Sequence, residues 1–273
     1  MNILITGASG FIGSSLLIKL STNKKYKILT LSRKNRICKN NNNIKNLKSD
    51  LVLSNLSFNL IKAFSPQIII HLAWQDIPDY SFKKSQINLL KQKLFFQKMN
   101  KLDSIKKIIV TGSCSEHNNK HYLTSKFFVN SKNKIKKIIK KQKKNLIWLR
   151  LFFVFGQNQR KGALIPSIVS SIKNRELIKL NKPNVINDYI HVNDVLKFIT
   201  SHLNNNNENQ EYDVGSGYGL KVSDIMNFCQ STFKRNSKFR IKKFFRNCFK
   251  AKVPINKSKI KIETPRNLRL MIR

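Results

Sequence analysis

Three side chains near the middle of the sequence have the types and spacing needed for proton transfer. Tyr122 and Lys126 are one helical turn apart in Tyr-Leu-Thr-Ser-Lys, so on a helix both would project from the same face. An ammonium group beside a phenol favours the phenolate and draws the tyrosine pKa from about 10 toward neutrality. Such a phenol can exchange a proton with a carbonyl or alcohol oxygen that a hydroxyl, such as that of Ser113, holds by hydrogen bonding. The three residues therefore predict an acid–base site suited to hydride chemistry.

The tyrosine–lysine spacing becomes specific only in its context, because the chain is rich in lysine and contains six tyrosines. Tyr80 and Lys84 have the same spacing, but Tyr80 follows Pro78-Asp79 in a predicted loop. Tyr122 opens a predicted helix just after a buried strand that ends in Ser113. Open α/β folds bind their ligands at the carboxyl edge of the sheet, so we assign the catalytic role to Tyr122.

The first twenty residues supply the element that would hold a hydride donor. Asn2 to Thr6 is a short apolar run typical of a central parallel strand, and the leucines after residue 15 recur at helical spacing. Between them Gly7, Gly10 and Gly13 form Gly-x-x-Gly-x-x-Gly. Such glycines let the backbone approach a pyrophosphate, and the helix N-terminus offers it free N–H groups and a partial positive charge. The segment predicts a bound dinucleotide.

The end of the second predicted strand indicates which dinucleotide. Residues 26–31 form that strand and Ser32-Arg33-Lys34 follows it, before a polar, Asn-rich stretch at 35–48 that reads as a loop. An acidic residue at the strand end binds a ribose 2′-hydroxyl, whereas a basic residue accommodates a 2′-phosphate. Arg33 therefore favours NADP, with NAD as the alternative.

Strands and helices alternate along most of the chain. Apolar strand patterns at 66–74, 106–113 and 145–155 are separated by helical patterns, of which the longest spans residues 81–102. This alternation predicts an α/β fold with a doubly wound parallel sheet, Rossmann-type, and a smaller C-terminal substrate-binding part that includes a short strand at 177–180. The predicted domains are a dinucleotide-binding domain at 1–157 and 188–216 and a substrate-binding part at 158–187 and 217–273.

The composition excludes some classes and leaves one question open. No apolar run is long enough to span a bilayer and no secretory signal precedes the first strand, so we expect a cytoplasmic protein with no membrane insertion. The four cysteines show no metal-ligand spacing, and we expect no metal. The net charge of +40 has two interpretations, a compositional bias shared with the many Asn and Ile residues, or binding to a polyanion such as nucleic acid.

Taken in order, the motifs resemble the extended short-chain dehydrogenase/reductase family, in its NAD-dependent epimerase/dehydratase group. The matching segments are Thr6-Gly-Ala-Ser-Gly-Phe-Ile-Gly13, Asp50-Leu51, His71-Leu-Ala-Trp74, Asn88, Ser113, Tyr122, Lys126, Arg150-Leu-Phe, Asp188-Tyr-Ile-His-Val-Asn-Asp194 and Asp213-Val-Gly-Ser-Gly217. The resemblance implies that Asp50 and Leu51 meet the adenine, that Ala73 lines the path to the nicotinamide and that Lys126 touches its ribose. The cofactor-binding residues are then Gly7, Gly10, Phe11, Ile12, Gly13, Arg33, Asp50, Leu51, Leu72, Ala73, Asn88, Tyr122 and Lys126.

Within the family, two neighbouring positions separate reaction types. Dehydratases carry an acidic pair directly after the position of Ser113, and this chain has Cys114 and Ser115 there. The segments around Trp74, Tyr80 and Glu116 are similar to reductases of nucleotide-linked 4-keto-6-deoxyhexoses, which make 6-deoxytalose- or abequose-type sugars for surface polysaccharides. The chain departs from the family pattern at Phe153 (usually Asn), at Asn187 (usually Arg), in the eight-residue spacing between Ser113 and Tyr122, and at its C-terminus, where a further helix is expected.

These observations leave three functional hypotheses. The leading one is an NADPH-dependent reductase of a nucleotide-diphospho 4-keto-6-deoxy sugar, used to make surface polysaccharide precursors. The alternatives are an NAD-dependent nucleotide-sugar 4-epimerase with the same three catalytic residues, and a nucleic-acid-binding protein on a dinucleotide-binding fold. The family resemblance also implies a homodimer, with the predicted helices at 81–102 and 122–141 forming the dimer face.

Overall fold

The computed structural model of the 273-residue chain describes residues 1–33, 41–117, 125–204, 209–233 and 249–250. Its strands are β1 (Asn2–Thr6), β2 (Lys27–Ser32), β3 (Ile44–Lys48), β4 (Ile68–His71), β5 (Lys107–Ser113), β6 (Asn145–Leu151), β7 (Phe153–Phe155), β8 (Ile186–His191), β9 (Gln210–Val214), β10 (Tyr218–Lys221) and β11 (Phe249–Lys250). Its helices are α1 (Phe11–Ser21), α2 (Asn55–Phe64), α3 (Phe82–Asn100), α4 (Lys126–Lys140), α5 (Leu164–Asn174), α6 (Val192–Ser201) and α7 (Val222–Phe233), with a 3₁₀ helix at Cys114–His117. In the part of the chain so described, no helix is long and apolar enough to cross a membrane.

Seven of the strands form one sheet in the order β3-β2-β1-β4-β5-β6-β9. The pairs β2–β3, β1–β2, β1–β4 and β4–β5 are parallel, and Leu4 of β1 lies between Leu29 and Ile69 of its neighbours. β1 and β4 are almost wholly buried, as expected for strands covered on both faces. The order reverses direction at β1, which confirms the predicted doubly wound α/β fold.

The sheet is covered on one side by α3 and α4. Phe95 and Phe96 of α3 and Ile139 of α4 are fully buried, in one core that includes Leu4 and Trp148 of the strands. Ser81 caps α3 by accepting a hydrogen bond from the backbone N–H of Lys84. Helix α3 therefore lies where its sequence pattern predicted, within two residues at each end.

Three sequence predictions about the fold were wrong. The apolar run at 145–155, predicted to be one strand, forms two strands, β6 and β7, which belong to different sheets. Residues 44–48, predicted to belong to a polar loop, form the edge strand β3, which pairs with β2 through backbone hydrogen bonds although its side chains are largely exposed. Residues 177–180, predicted to be a strand, have no regular secondary structure, and Leu177 is 83% exposed. At 44–48 and 177–180 local sequence carried too little information, because backbone pairing is decided by the neighbouring strand.

The chain forms two compact units, Met1–Arg150 with Ile199–Tyr212, and Leu151–Phe198 with Asp213–Arg273. In the second unit β7, β8, β10 and β11 form a sheet in which β10 is antiparallel to both neighbours. Asp188 of β8 is buried and accepts hydrogen bonds from the backbone N–H of Ser216 at 2.7 Å, from its hydroxyl at 2.7 Å and from the N–H of Gly217 at 2.9 Å. The assignment of cofactor and substrate roles to parts of the chain stays a prediction.

Candidate functional site

The turn between β1 and α1 is built in a way that side chains other than glycine would disrupt. Gly7 has a φ of +72°, and a Cβ there would lie 2.7 Å from the backbone nitrogen of Ala73. A Cβ on Gly13 would overlap the carbonyl oxygen of Gly7. The turn is closed by a 3.0 Å hydrogen bond from the N–H of Gly10 to that same oxygen. The glycines therefore bring α1 against β1 and the chain after β4.

The N-terminus of α1 meets the requirements for a diphosphate. Gly10 occupies the N-cap position with φ −80° and ψ 175°, and the first turn of the helix contains no acidic residue. A helix that begins on glycine has no side chain to accept hydrogen bonds from its first N–H groups, so these groups and the positive end of the helix dipole are available to an anion. Phe11, Ile12 and Gly13 form the first turn of this helix.

A cavity of about 290 Å³ opens at this helix end. Eight residues predicted to bind the cofactor line it, namely Gly7, Gly10, Arg33, Asp50, Leu51, Leu72, Ala73 and Asn88. They come from five segments that are far apart in sequence, at the ends of β1, β2, β3 and β4 and from α3. Their convergence fits an extended ligand with an anionic middle, which is the shape and charge of a dinucleotide. Their individual contacts with a cofactor stay predictions.

Lys91, which the sequence analysis missed, organises one wall of this cavity. Its ammonium lies 2.5 Å from Oδ2 of Asp50 and donates to the side-chain oxygen of Gln75 at 3.2 Å. Partial burial is the largest single influence and would raise the pKa of Asp50. The hydrogen bonds from Lys91 and from the Leu51 N–H, together with the charge of Lys91, outweigh it and hold the pKa below its usual value. The other oxygen of Asp50 accepts a bond from the N–H of Leu51 at 2.6 Å. Asp50 is therefore a fixed carboxylate, which can accept a hydrogen bond from an amino group.

Asn88 has a supporting position in the same wall. Its amide oxygen accepts from the N–H of Gln75 at 2.7 Å, and its amide nitrogen donates to the carbonyls of Gln75 at 3.2 Å and Lys84 at 2.9 Å. Asn88 is 3% exposed. These bonds fix the chain that leaves β4 to helix α3, so Asn88 shapes the cavity through its neighbour.

Ser113 ends β5, as predicted. Its hydroxyl oxygen accepts a hydrogen bond from the N–H of Ser115 at 3.2 Å, which leaves the hydroxyl proton to be donated elsewhere. Its own N–H donates to Oε1 of Glu116 at 2.7 Å. The serine is thus held by one hydrogen bond at its hydroxyl oxygen and by another at its backbone N–H.

Of the other two predicted catalytic residues, Tyr122 and Lys126, the structure describes only Lys126. Tyr122 lies outside the described residues. Lys126 is the first residue of α4 and is exposed, with its ammonium 5.5 Å from the ring centre of Phe127, and Ser125 caps the helix by accepting from the Phe127 N–H. The convergence of the phenol, the ammonium and the hydroxyl of Ser113 therefore stays a prediction.

His71, part of the family motif, belongs to the core. Burial lowers its pKa to about 3, and its ring nitrogens bond to the hydroxyl of Thr6 at 2.8 Å and the side-chain oxygen of Gln92 at 3.0 Å. A neutral, fully engaged imidazole cannot serve as a proton carrier near neutral pH. His71 instead fixes the carboxyl ends of β1 and β4, where the cavity begins.

The two family positions at which this chain departs lie in the second unit. Asn187 is 7% exposed, and its amide nitrogen donates to the hydroxyl of Tyr189 at 3.2 Å. Phe153 is 37% exposed, with its ring 5.7 Å from that of Tyr189. Both side chains therefore contact Tyr189, and neither carries the charge that the usual arginine would offer to a substrate phosphate.

Comparison with known proteins agrees with this architecture. The model of the NAD dependent epimerase/dehydratase family matches residues 3–215. CDP-abequose synthase of Salmonella typhimurium strain LT2 is 26% identical, and the match covers 86% of this chain and 82% of the relative.

Solved structures share the fold at lower identity. UDP-glucose 4-epimerase of Thermotoga maritima, solved with UDP-glucose, has a TM-score of 0.76 and 17% identity, with 100% of this chain and 97% of that chain covered. The enzyme WbmG of Bordetella bronchiseptica, solved with NAD, has a TM-score of 0.72 and 16% identity, with coverage of 83% and 76%. The chain belongs to the NAD-dependent epimerase/dehydratase family of extended short-chain dehydrogenases/reductases, a family of sugar-nucleotide-modifying enzymes.

Proposed function

We propose that the protein is an NADPH-dependent reductase of a nucleotide-diphospho 4-keto-6-deoxy sugar. The observation that carries this proposal is the similarity to CDP-abequose synthase along 86% of the chain. The name of that relative assigns it the synthesis of a nucleotide-linked sugar, and the cavity beside α1 offers donors for a dinucleotide. Synthesis of surface polysaccharide precursors in the cytoplasm is the corresponding cellular role.

The chemistry after β5 favours reduction over elimination of water. Cys114 and Ser115, at the positions of the dehydratase acid and base, are 5% and 2% exposed. The next acidic residue, Glu116, has a side chain that is 2% exposed and already accepts bonds from Trp148 and Ser113. A buried carboxylate with its oxygens engaged cannot remove a substrate proton, so this segment lacks the groups that elimination needs.

In the proposed reaction, each catalytic side chain handles one part of the substrate carbonyl. When bound, the nicotinamide supplies the hydride for the ketone carbon. Ser113 donates its hydroxyl proton in a hydrogen bond to the carbonyl oxygen, and Tyr122 delivers the proton that completes the alcohol. Lys126 lowers the pKa of the phenol and holds the nicotinamide ribose. Asp50 and Leu51 would meet the adenine, and the N-terminus of α1 would bind the diphosphate.

Arg33 supports the choice of NADPH over NADH. It lines the cavity at the end of β2 and is exposed, and neither Arg33 nor the preceding Ser32 offers a carboxylate that could accept from a ribose 2′-hydroxyl. A guanidinium binds a phosphate through charge-assisted hydrogen bonds worth about 1.5–3 kcal/mol each. Arg33→Ser should therefore lower the affinity for NADPH by about 10-fold or more and leave that for NADH nearly unchanged. Lys24→Ser, which removes an exposed cation outside the cavity lining, is the matched control.

The proposed activity is tested by incubating the purified protein with NADPH and CDP-, dTDP-, GDP- and UDP-linked 4-keto-6-deoxyhexoses, while NADPH fluorescence is followed. We expect turnover with at least one of them and loss of turnover in Tyr122→Phe. Tyr80→Phe is the matched control, because Tyr80 has the same spacing to a lysine. Absence of turnover on every substrate, or equal activity in both tyrosine variants, would reject the proposal.

The 4-epimerase is the second candidate, favoured by the family's own description. An epimerase returns the hydride to the same sugar, so it retains its cofactor between half-reactions, whereas a reductase exchanges it every turnover. NAD carried through purification, together with interconversion of 4-epimers without added NADPH, would support the epimerase. Release of cofactor during gel filtration would support the reductase.

A further inference from the structure

The carboxylate of Glu116, a residue to which the sequence assigns no role, is held from three directions in the turn after β5. Oε1 accepts from the N–H of Ser113 at 2.7 Å. The indole N–H of Trp148 donates to Oε2 at 2.9 Å and to Oε1 at 3.2 Å. Lys136 of α4 places its ammonium 3.2 Å from Oε2. The side chain is 2% exposed, so these protein groups replace water as its hydrogen-bond donors.

The backbone before Ser113 is adapted to this arrangement. A Cβ on Gly112 would overlap both Oε1 of Glu116 and the indole nitrogen of Trp148. Trp148, on the neighbouring strand β6, is fully buried and cannot move aside without disrupting the core. The carboxylate and indole therefore occupy the space that a side chain at residue 112 would fill, and they lie directly against the end of β5.

A second buried cation supports the same strand end. Lys132 of α4 donates to the carbonyl of Thr111 at 2.7 Å and lies 4.5 Å from the ring centre of Trp74. Burial lowers its pKa to about 8, and the negative charge of Glu116 opposes that shift. Residues 111 and 113 of one strand are thus held by buried charged side chains, a costly arrangement in which loss of one partner leaves the other uncompensated.

We propose that Glu116 is a positioning residue for Ser113. By accepting from the Ser113 N–H, Glu116 fixes the backbone that carries the hydroxyl, while the Ser115 N–H fixes the hydroxyl oxygen from the other side. This inference rests on the proposed reductase function, in which Ser113 holds the substrate carbonyl. Glu116 itself touches no reacting atom in this scheme, because its oxygens are engaged by protein donors.

A kinetic cycle separates positioning from simple stabilisation. Glu116→Ala should lower kcat on the order of 10- to 100-fold, the range expected when a catalytic hydroxyl is misplaced by about 1 Å, with little change in cofactor affinity. Glu116→Gln keeps an amide oxygen for the Ser113 N–H and should recover part of the loss. In a Ser113→Ala background, Glu116→Ala should cause no further loss, because the hydroxyl that it positions is already gone. Multiplicative losses in the double variant would overturn the inference.

Glu211 provides the matched control. Its carboxylate also binds Lys136, at 2.9 Å, and further contacts Lys140 and Arg150. No contact joins Glu211 to Ser113, so Glu211→Gln removes a carboxylate partner of the same lysine while leaving the turn after β5 unchanged. Its kcat should match the wild type. A loss in Glu211→Gln as large as in Glu116→Ala would show that only the charge network matters, and would overturn the inference.

A measurement without turnover distinguishes failure of this inference from failure of the proposed reaction. Deuterium exchange of the Ser113 amide should accelerate in Glu116→Ala and much less in Glu116→Gln, relative to the amide of Ile108 in the same strand. If the wild type reduces none of the substrates but the Ser113 amide responds, the proposed reaction fails while the contact that positions residue 113 stands. If the Ser113 amide exchanges at the wild-type rate in both variants, the inference is overturned whatever the activity.

Discussion

Substituting Gly10 with alanine tests whether the cavity beside α1 receives a pyrophosphate. The backbone of Gly10 is in an extended conformation open to any residue, with φ −80°. A Cβ there would meet the carbonyl oxygen of Gly7 at 3.3 Å, and no other atom outside its chain neighbours lies within 4 Å among the residues that the structure describes. The fold should therefore tolerate the methyl group, with a change in the free energy of unfolding below about 1 kcal/mol, since glycine-to-alanine changes at compatible sites also restrict the unfolded chain.

The same change at Gly7 should behave differently. Alanine at a φ of +72° costs about 1–2 kcal/mol, and a Cβ that lies 2.7 Å from the nitrogen of Ala73 forces backbone shifts worth about 1–3 kcal/mol more. For a chain of this size each kcal/mol lowers Tm by about 2–4 °C, so Gly7→Ala should lower Tm by about 4–20 °C. Gly10→Ala should leave Tm nearly unchanged.

Cofactor affinity is the quantity that separates the two variants. A methyl group on Gly10 would stand between the helix N-terminus and an approaching phosphate and weaken charge-assisted bonds worth about 1.5–3 kcal/mol, so affinity should fall about 10- to 150-fold. Calorimetric titration with NADPH and NADH, beside a thermal melt, measures both quantities. Wild-type affinity in a well-folded Gly10→Ala variant would refute the assignment of this turn to the pyrophosphate.

Three further predictions follow from buried or paired charges. Burial lowers the pKa of Lys132 from 10.5 to about 8, so between these pH values the folded state binds fewer protons than the unfolded state. The free energy of unfolding of the wild type should therefore rise relative to that of Lys132→Met by up to about 3 kcal/mol between pH 8 and 10.5, as measured by urea unfolding. Lys91→Met removes the ammonium that lowers the pKa of Asp50, so the loss of cofactor affinity on acidification, followed by titration calorimetry, should begin at higher pH than in the wild type. Asp188→Ala leaves the buried donors of Ser216 and Gly217 without their acceptor and should destabilise the protein by about 3–5 kcal/mol in denaturant melts, whereas Asp188→Asn, which keeps one acceptor oxygen, should cost less.

The parts of the fold that sequence predicted are those in which local pattern and tertiary environment agree. β1 is apolar at successive positions because both faces of the sheet are covered, and the glycines after it are required by close backbone contacts. Helix α3 follows its capping serine, Ser81. In each case the residues that favour the local structure also suit its buried surroundings, so the sequence alone predicts the strand, the turn or the helix.

The parts that sequence missed depend on partners distant along the chain. β3 has two half-buried apolar residues in five, and it is a strand because β2 presents a free edge to it. Lys91 lies in the cavity wall because Asp50, 41 residues earlier, reaches it across the end of the sheet. Glu116 becomes notable only through the indole of Trp148, 32 residues later. A lysine on a helix or a glutamate in a turn is ordinary by itself, so no local signal could have distinguished either one.

Two of the lysines that contribute to the net charge of +40 are buried and donate hydrogen bonds to backbone carbonyls. Lys107 donates to the carbonyls of His202 and Leu203 just past the end of α6, at 2.8 and 3.1 Å, and Lys144 donates to those of Leu102 and Ile105, at 2.8 and 3.2 Å. The C-terminal end of a helix leaves backbone carbonyls without hydrogen-bond partners inside the helix, and a cation is a favourable donor to them. Burial lowers the pKa of both ammonium groups, so each loses its proton at a lower pH than a surface lysine does. In a chain with 13 acidic residues, backbone carbonyls thus bind two ammonium groups that carboxylates could bind elsewhere. Lys107 and Lys144 are buried, so they add to the net charge without adding to the positive surface that a polyanion could contact.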